Sequence, residues 1–137
     1  MICCSKGVLA DQVSCERNNR RNLRSSKTCR MSGTTEINTA DTTIATRDES
    51  IERLAFNHNR NIKFLPIEVS EKFPNLMGLE AGDCSLTTIS KENFKDLTKL
   101  RLLGLYYNQI EKIRSDVFGD LVALEKLFLC KFKLNYF

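Results

Sequence analysis

The stretch LTKLRLLGLYYNQIEKI, residues 97–113, decides the fold. Leu97, Leu100, Leu103 and Leu105 stand at spacings of three, three and two, and Asn108, Ile110 and Ile113 follow. An amphipathic helix would keep apolar residues at offsets of three and four, and a half-buried strand would alternate strictly. This segment begins like the first and ends like neither. Leu103 and Leu105 mark a short strand instead, and Asn108 followed by Ile110 marks a turn that returns apolar side chains to the same interior. One coil of a solenoid would make that demand.

A solenoid requires the pattern to recur at a fixed period. Twenty-four residues upstream of Leu97, Leu100, Leu103, Leu105, Asn108, Ile110, Ile113 and Phe118 stand Phe73, Leu76, Leu79, Ala81, Cys84, Leu86, Ile89 and Phe94. Twenty-four residues downstream of the first seven stand Leu121, Leu124, Leu127, Leu129, Phe132, Leu134 and Phe137. A weaker copy lies in SIERLAFNHNRNIKFLP, where Ile51, Leu54 and Phe56 align after one extra residue near Asn59, and Ile62 and Leu65 align without it. The expected architecture is an α/β solenoid of roughly 3.5 coils starting near residues 51, 73, 97 and 121, with a parallel sheet on its concave side.

Each position of the coil has a physical reason. Leu103 and Leu105 point inward from a strand that pairs with the same strand of its neighbours, and the residues between them point out. Asn108 carries an amide that both donates and accepts, so it can satisfy backbone groups where the strand leaves the sheet. Cys84 takes that position one coil earlier, and Phe132, which cannot make those bonds, predicts a distorted last coil. Phe94 and Phe118 are expected to fill the convex side of the core. The upstream coil offers only Ser70 there, which predicts a looser end.

The resulting surface can be read from the register. The outward columns are Arg53, Gly78, Leu102 and Lys126; then Ala55, Glu80, Gly104 and Phe128; then Asn57, Gly82, Tyr106 and Cys130. Leu102, Tyr106, Phe128 and the adjoining Tyr107 are apolar or aromatic where solvent is expected, and clusters of that kind mark partner sites. The candidate ligand-binding residues are therefore Arg53, Asn57, Glu80, Leu102, Tyr106, Tyr107, Lys126 and Phe128. Glycines 78, 82 and 104 predict a shallow trough, suited to a protein or a glycan rather than a small molecule.

Composition narrows the function. The 137 residues suit about one domain, 42% of them are hydrophobic, and no run of 18 apolar residues predicts a membrane span. Residues 16–30, ERNNRRNLRSSKTCR, hold six basic residues and one acid, or +5 against a chain total of +4, which leaves −1 for the remainder. This stretch reads either as a grip on polyanions through charge or as a solvated arm. It has no aromatic residue for base stacking and matches no nucleic-acid module, so no nucleic-acid partner is expected. Catalysis is not expected either. His58 is the sole histidine, it lacks a nucleophile in a recognisable motif, and Asp48 and Glu49 sit on a solvated approach to the first strand. No cofactor or metal motif is present.

These residues resemble leucine-rich repeats of the 24-residue extracellular type, L-x-x-L-x-x-L-x-L-x-x-N-x-L-x-x-L followed by an F-containing stretch. FPNLMGLEAGDCSLTTISKENF, DLTKLRLLGLYYNQIEKIRSDVF and the entry segment TCRMSGTTEINTADTTIATRDESIERL are similar to secreted leucine-rich-repeat proteins of dipteran insects, over residues 29–137. The resemblance implies a leucine-rich-repeat horseshoe fragment, and a secreted, non-enzymatic module that holds another protein, as innate-immune or cell-contact proteins of similar build do.

The rest of the chain is read in that light. Residues 1–10 resemble a remnant of a secretory signal, residues 11–36 form a basic, Cys-containing segment with an irregular N-terminal arm, and residues 37–137 form the repeat domain. Of the six cysteines, Cys3 and Cys4 would leave with a signal, and Cys84 and Cys130 belong to the coils. Cys15 and Cys29 remain as a disulfide pair, with free thiols in a reducing cell as the other reading. The array ends at LNYF without a Cys-rich closing segment, so Phe128 and Cys130 also read as core or interface residues toward further coils. A scaffold fragment that packs on further repeats or on a second copy is the alternative function, and a polyanion-binding arm the minor one.

Overall fold

The computed structural model describes residues 12–13, 15–17, 27–31, 35–39, 41–45 and 47–129, the first two segments by their backbone alone. The strands are β1 (Gln12–Val13), β2 (Cys15–Arg17), β3 (Thr28–Met31), β4 (Thr43–Ile44), β5 (Arg53–Ala55), β6 (Gly78–Glu80), β7 (Leu102–Gly104) and β8 (Lys126–Phe128). Two single-turn helices, α1 (Val69–Lys72) and α2 (Lys91–Phe94), lie on the opposite flank. The main sheet runs β2-β3-β5-β6-β7-β8, parallel from β3 onward, and β1 pairs with β4 separately.

Register follows the leucines. Leu54, Leu79 and Leu103 sit opposite one another in successive strands and are fully buried. The expected columns Arg53, Gly78, Leu102, Lys126 and Ala55, Glu80, Gly104, Phe128 are the observed strand partners. Backbone bonds extend the ladder beyond the strands, as from Ala81 N–H to Gly104 O at 2.8 Å and from Leu105 N–H to Phe128 O at 2.8 Å. Leu127 stands in the same column as Leu103, yet it is 38% exposed, because no described strand follows β8 to cover it.

Two parts differ from the sequence reading. The basic stretch expected as a solvated arm contributes β2 and β3, and β3 pairs in parallel with β5 so that Cys29 sits opposite Leu54. The offset there is 25 residues, and an isolated bridge from Ile37 to Ile62 keeps it. Cys29, Met31, Ile37 and Ile44 are buried in the common core. The convex side is not looser upstream. Val69, one residue before Ser70, is 1% exposed and belongs to the same core cluster as the fully buried Phe94. Phe118 is half-buried with its ring centroid 5.7 Å from that of Phe94.

At the strand exits the polar side chains close the coils. Asn108 donates from Nδ2 to Ala81 O at 2.7 Å, Leu105 O at 2.9 Å and Tyr106 O at 3.3 Å, and its Oδ1 accepts from Leu86 N–H at 3.1 Å. Cys84 imitates the donating half, with Sγ 3.2 Å from Phe56 O and 3.6 Å from Gly82 O. Burial pushes its thiol up to about 11, so it keeps the proton it donates. Asn59, which the sequence reading did not single out, is the upstream member of this column. It is 4% exposed, donates to Thr35 O at 2.9 Å and accepts from Asn61 N–H at 3.0 Å. Asn93, also unforeseen, caps α2 through Ser90 and donates to Leu65 O of the preceding coil at 2.9 Å.

The amide of Asn108 bridges two coils, and its loss would leave the Leu86 N–H and the carbonyls without partners in a site only 3% exposed. Asn108→Ala should therefore lower unfolding stability in urea by about 2–3 kcal/mol. A loss below about 0.5 kcal/mol would show that the column contributes little.

Candidate functional site

The concave face is built by residues that alternate with the buried leucines, and the structure shows how they fill it. Arg53 is exposed, yet its side chain lies along the sheet rather than standing off it. Its stem lies over Gly78, where an added Cβ would stand 3.4 Å from Cγ, and its guanidinium reaches Glu80 at 3.0 Å. Tyr106 lies over Gly82 so closely that an added Cβ would stand 2.1 Å from the ring, and 3.6 Å from it at Gly104. The shallow trough read from glycines 78, 82 and 104 is thus largely occupied by Arg53 and Tyr106, and Gly78, Gly82, Gly104 and Ala55 are buried.

The candidate residues divide accordingly. Leu102 and Tyr106 are half-buried rather than solvent-facing, while Tyr107 is 48% and Phe128 46% exposed. Asn57 is engaged in the fold, since its Oδ1 accepts from Gly82 N–H at 2.6 Å. Glu80 is held by Arg53, and Lys126 is exposed with no ion pair among the described residues. Cys130, Phe132 and the signal-like residues 1–10 lie outside the described residues. So do Arg20, Arg21 and Arg24 of the basic stretch.

Tyr106 and Tyr107 meet edge to face, with centroids 5.7 Å apart. Tyr107 has φ 55°, and His58 and Asp83, at the equivalent place one residue before Asn59 and Cys84, have φ 63° and 50°. Polar Asp and His tolerate the left-handed region better than most residues, whereas a bulky tyrosine there costs roughly 1 kcal/mol. The repeating turn imposes the conformation, and the tyrosine keeps its ring at the lip of the sheet in spite of it.

Charge on the face is arranged in pairs between coils. Lys27 pairs with Glu52 at 2.5 Å and Arg101 with Glu125 at 2.7 Å. His58 is exposed but not isolated: its Nδ1 lies 3.1 Å from Asp83 Oδ2, and Arg60 reaches Asp83 Oδ1 at 3.4 Å. The hydrogen bond from His58 and then the nearby Arg60 hold the Asp83 carboxyl below its ordinary value, against the opposing effect of partial desolvation. Among the described residues no cluster of His, Cys, Asp and Glu could hold a metal ion. No described helix is long and apolar enough to cross a membrane.

A groove of about 280 Å³ crosses the sheet at the entry ends of its strands. Glu52, Arg53, Met77, Gly78, Arg101, Leu102, Glu125 and Lys126 line it. Met77, 37% exposed, was not foreseen. It lies just before the strand, outside the alternating columns, so the register carried no statement about it.

Comparison with known proteins agrees with this geometry. Residues 74–131 match the family model described as Leucine rich repeat. A solved structure, the crystal structure of a TLR13–ssRNA13 complex, is similar with a TM-score of 0.58 and 23% identity over 63% of this chain. The likeness spans 12% of that chain and carries the fold alone. No curated protein matches the sequence. The fold is a leucine-rich-repeat solenoid of about four turns.

Proposed function

We propose that the chain is a non-catalytic module that works outside the cell and holds a partner protein on its concave face, in recognition of the innate-immune or cell-contact type. The observation that carries this reading is the apolar and aromatic set on and beside that face, Leu102, Tyr106, Tyr107 and Phe128, two members of which are nearly half exposed. Tyrosine and phenylalanine give large contact area for little lost side-chain freedom, which is why they anchor interfaces.

The compartment rests on the cysteines. Cys29 is buried and disulfide-bonded, and a bridge of that kind persists in oxidising surroundings. We assign Cys15 as its partner: β2 and β3 are adjacent antiparallel strands in which Cys15 sits opposite Met31, two residues from Cys29. The side chain of Cys15 lies outside the described residues. A loop of this size would add about 3 kcal/mol through the unfolded chain. An unreduced digest of the chain exported from cells should contain the linked Cys15 and Cys29 peptides, and recovery of Cys15 as a free thiol would remove this assignment.

A second reading has its own observation. Leu127, in the core column yet 38% exposed, favours packing of β8 against further repeats or a second copy of the chain. One experiment separates the two. A photo-crosslinking residue is placed at Leu102 or Phe128 on the concave side, at Val122 beside the β8 end, or at Glu92 on the convex side, and the chain is added to extracellular fluid of its source. Heterologous adducts from Leu102 and Phe128 alone are expected. Adducts of the chain with itself from Val122, and none from Leu102, would favour the scaffold reading.

A further inference from the structure

The entry-side column of the sheet reads Lys27, Glu52, Met77, Arg101 and Glu125. Its charged members are engaged with each other, Lys27 with Glu52 and Arg101 with Glu125, and Met77 interrupts them. In the adjoining column Arg53 leans over Gly78 to Glu80 and so turns away from Met77. The groove of about 280 Å³ therefore has walls whose charges are neutralised by neighbours and a floor of Met77, Gly78 and half-buried Leu102. Filling it with an apolar side chain removes Met77 from water without stripping a partner from any ion pair.

Lys126 is the exception on the rim. Among the described residues lining the groove, it is the cation with no ion pair, whereas Arg53 and Arg101 each hold a glutamate. Strands stand about 4.8 Å apart, so Met77 beside β6 and Lys126 on β8 are about 10 Å apart across two spacings. An extended peptide places side chains of one face about 7 Å apart, and a carboxylate one or two residues from the apolar one would reach the ammonium. A basic segment would meet Arg53, Arg101 and Lys126 together, and a nucleic-acid backbone would meet Glu52 and Glu125.

We infer that this groove takes an extended segment of a partner protein, seating an aliphatic or aromatic side chain on Met77 and an adjacent Asp or Glu side chain against Lys126. The inference rests on the recognition reading above and adds the chemistry of what is recognised. Lys126 steers and orients the segment, and Met77 with Leu102 supplies the contact area.

The test uses the full chain, immobilised, against a display library of random seven-residue peptides held between fixed flanks, so that no free carboxyl terminus enters. Wild type should enrich peptides with an apolar residue one or two positions from Asp or Glu. In fluorescence anisotropy, K126E should weaken the selected peptide at least threefold, as loss and reversal of a rim charge does, and M77Q should weaken it tenfold or more, as loss of an anchor contact does. K126E should in turn enrich Lys or Arg beside the apolar residue. Enrichment without an acid, an unchanged consensus with K126E, or a selected peptide indifferent to M77Q would each overturn the inference. So would the absence of any enriched peptide from a chain that still forms concave-face adducts with a partner, and that result would leave the recognition reading standing. Enrichment of the acidic motif without such adducts would do the reverse.

Discussion

The fold depends on one recurring constraint: where each short strand leaves the sheet, its backbone carbonyls must be satisfied inside a nearly dry core. Asn108 does this across two coils, taking three carbonyls with one amide nitrogen and the Leu86 N–H with its oxygen. Cys84 supplies a single protonated thiol to the equivalent carbonyls of Phe56 and Gly82, and Asn59 closes the coil before. Buried polar groups without partners cost more than the bonds gain, so the column governs which residues can turn there. With the turn held, three-residue strands suffice, because their leucines and phenylalanines stack into one core.

The same turn shapes the recognition surface. It places the residue before each column member in the left-handed region, and in the third coil that residue is Tyr107. It also brings Tyr106 onto Gly82 and leaves Arg53 to lie across Gly78, so the face is paved by long side chains resting on glycines of the adjacent coil. Paving removes the trough that the glycines alone would leave. What stays open is the lip, with Tyr107 and Phe128, and the entry side, where Met77 lies between two ion-paired segments.

Much of this was legible in the sequence, and the failures have specific causes. Strand register could be read directly, because a 24-residue period with leucines three, three and two apart admits one alignment of β6 to β8, and one extra residue brings β5 into it. Asn59 escaped because a single extra residue near it shifts the start of the first coil, so that the strict period points to Arg60 instead, and Val69 escaped because it stands one place short of the residue that the strict period names, Ser70. β3 escaped because Cys29 and Met31 replace the leucines and the offset there is 25 residues. The paving of the face was out of reach for another reason: alternation gives the side of the sheet on which a residue stands, and says nothing of a long side chain lying down over a glycine. Met77 carried no signal because it precedes the strand.

Native-state hydrogen exchange at the Leu86 amide tests the account most directly. This N–H is bonded by the Asn108 side chain rather than by another strand. The account predicts protection comparable to that of the ladder amides of Ala81 and Leu105, since all three open only when the coils separate. Exchange at Leu86 as fast as at exposed loop amides, with Ala81 and Leu105 still protected, would show that the coils hold together without the side-chain column.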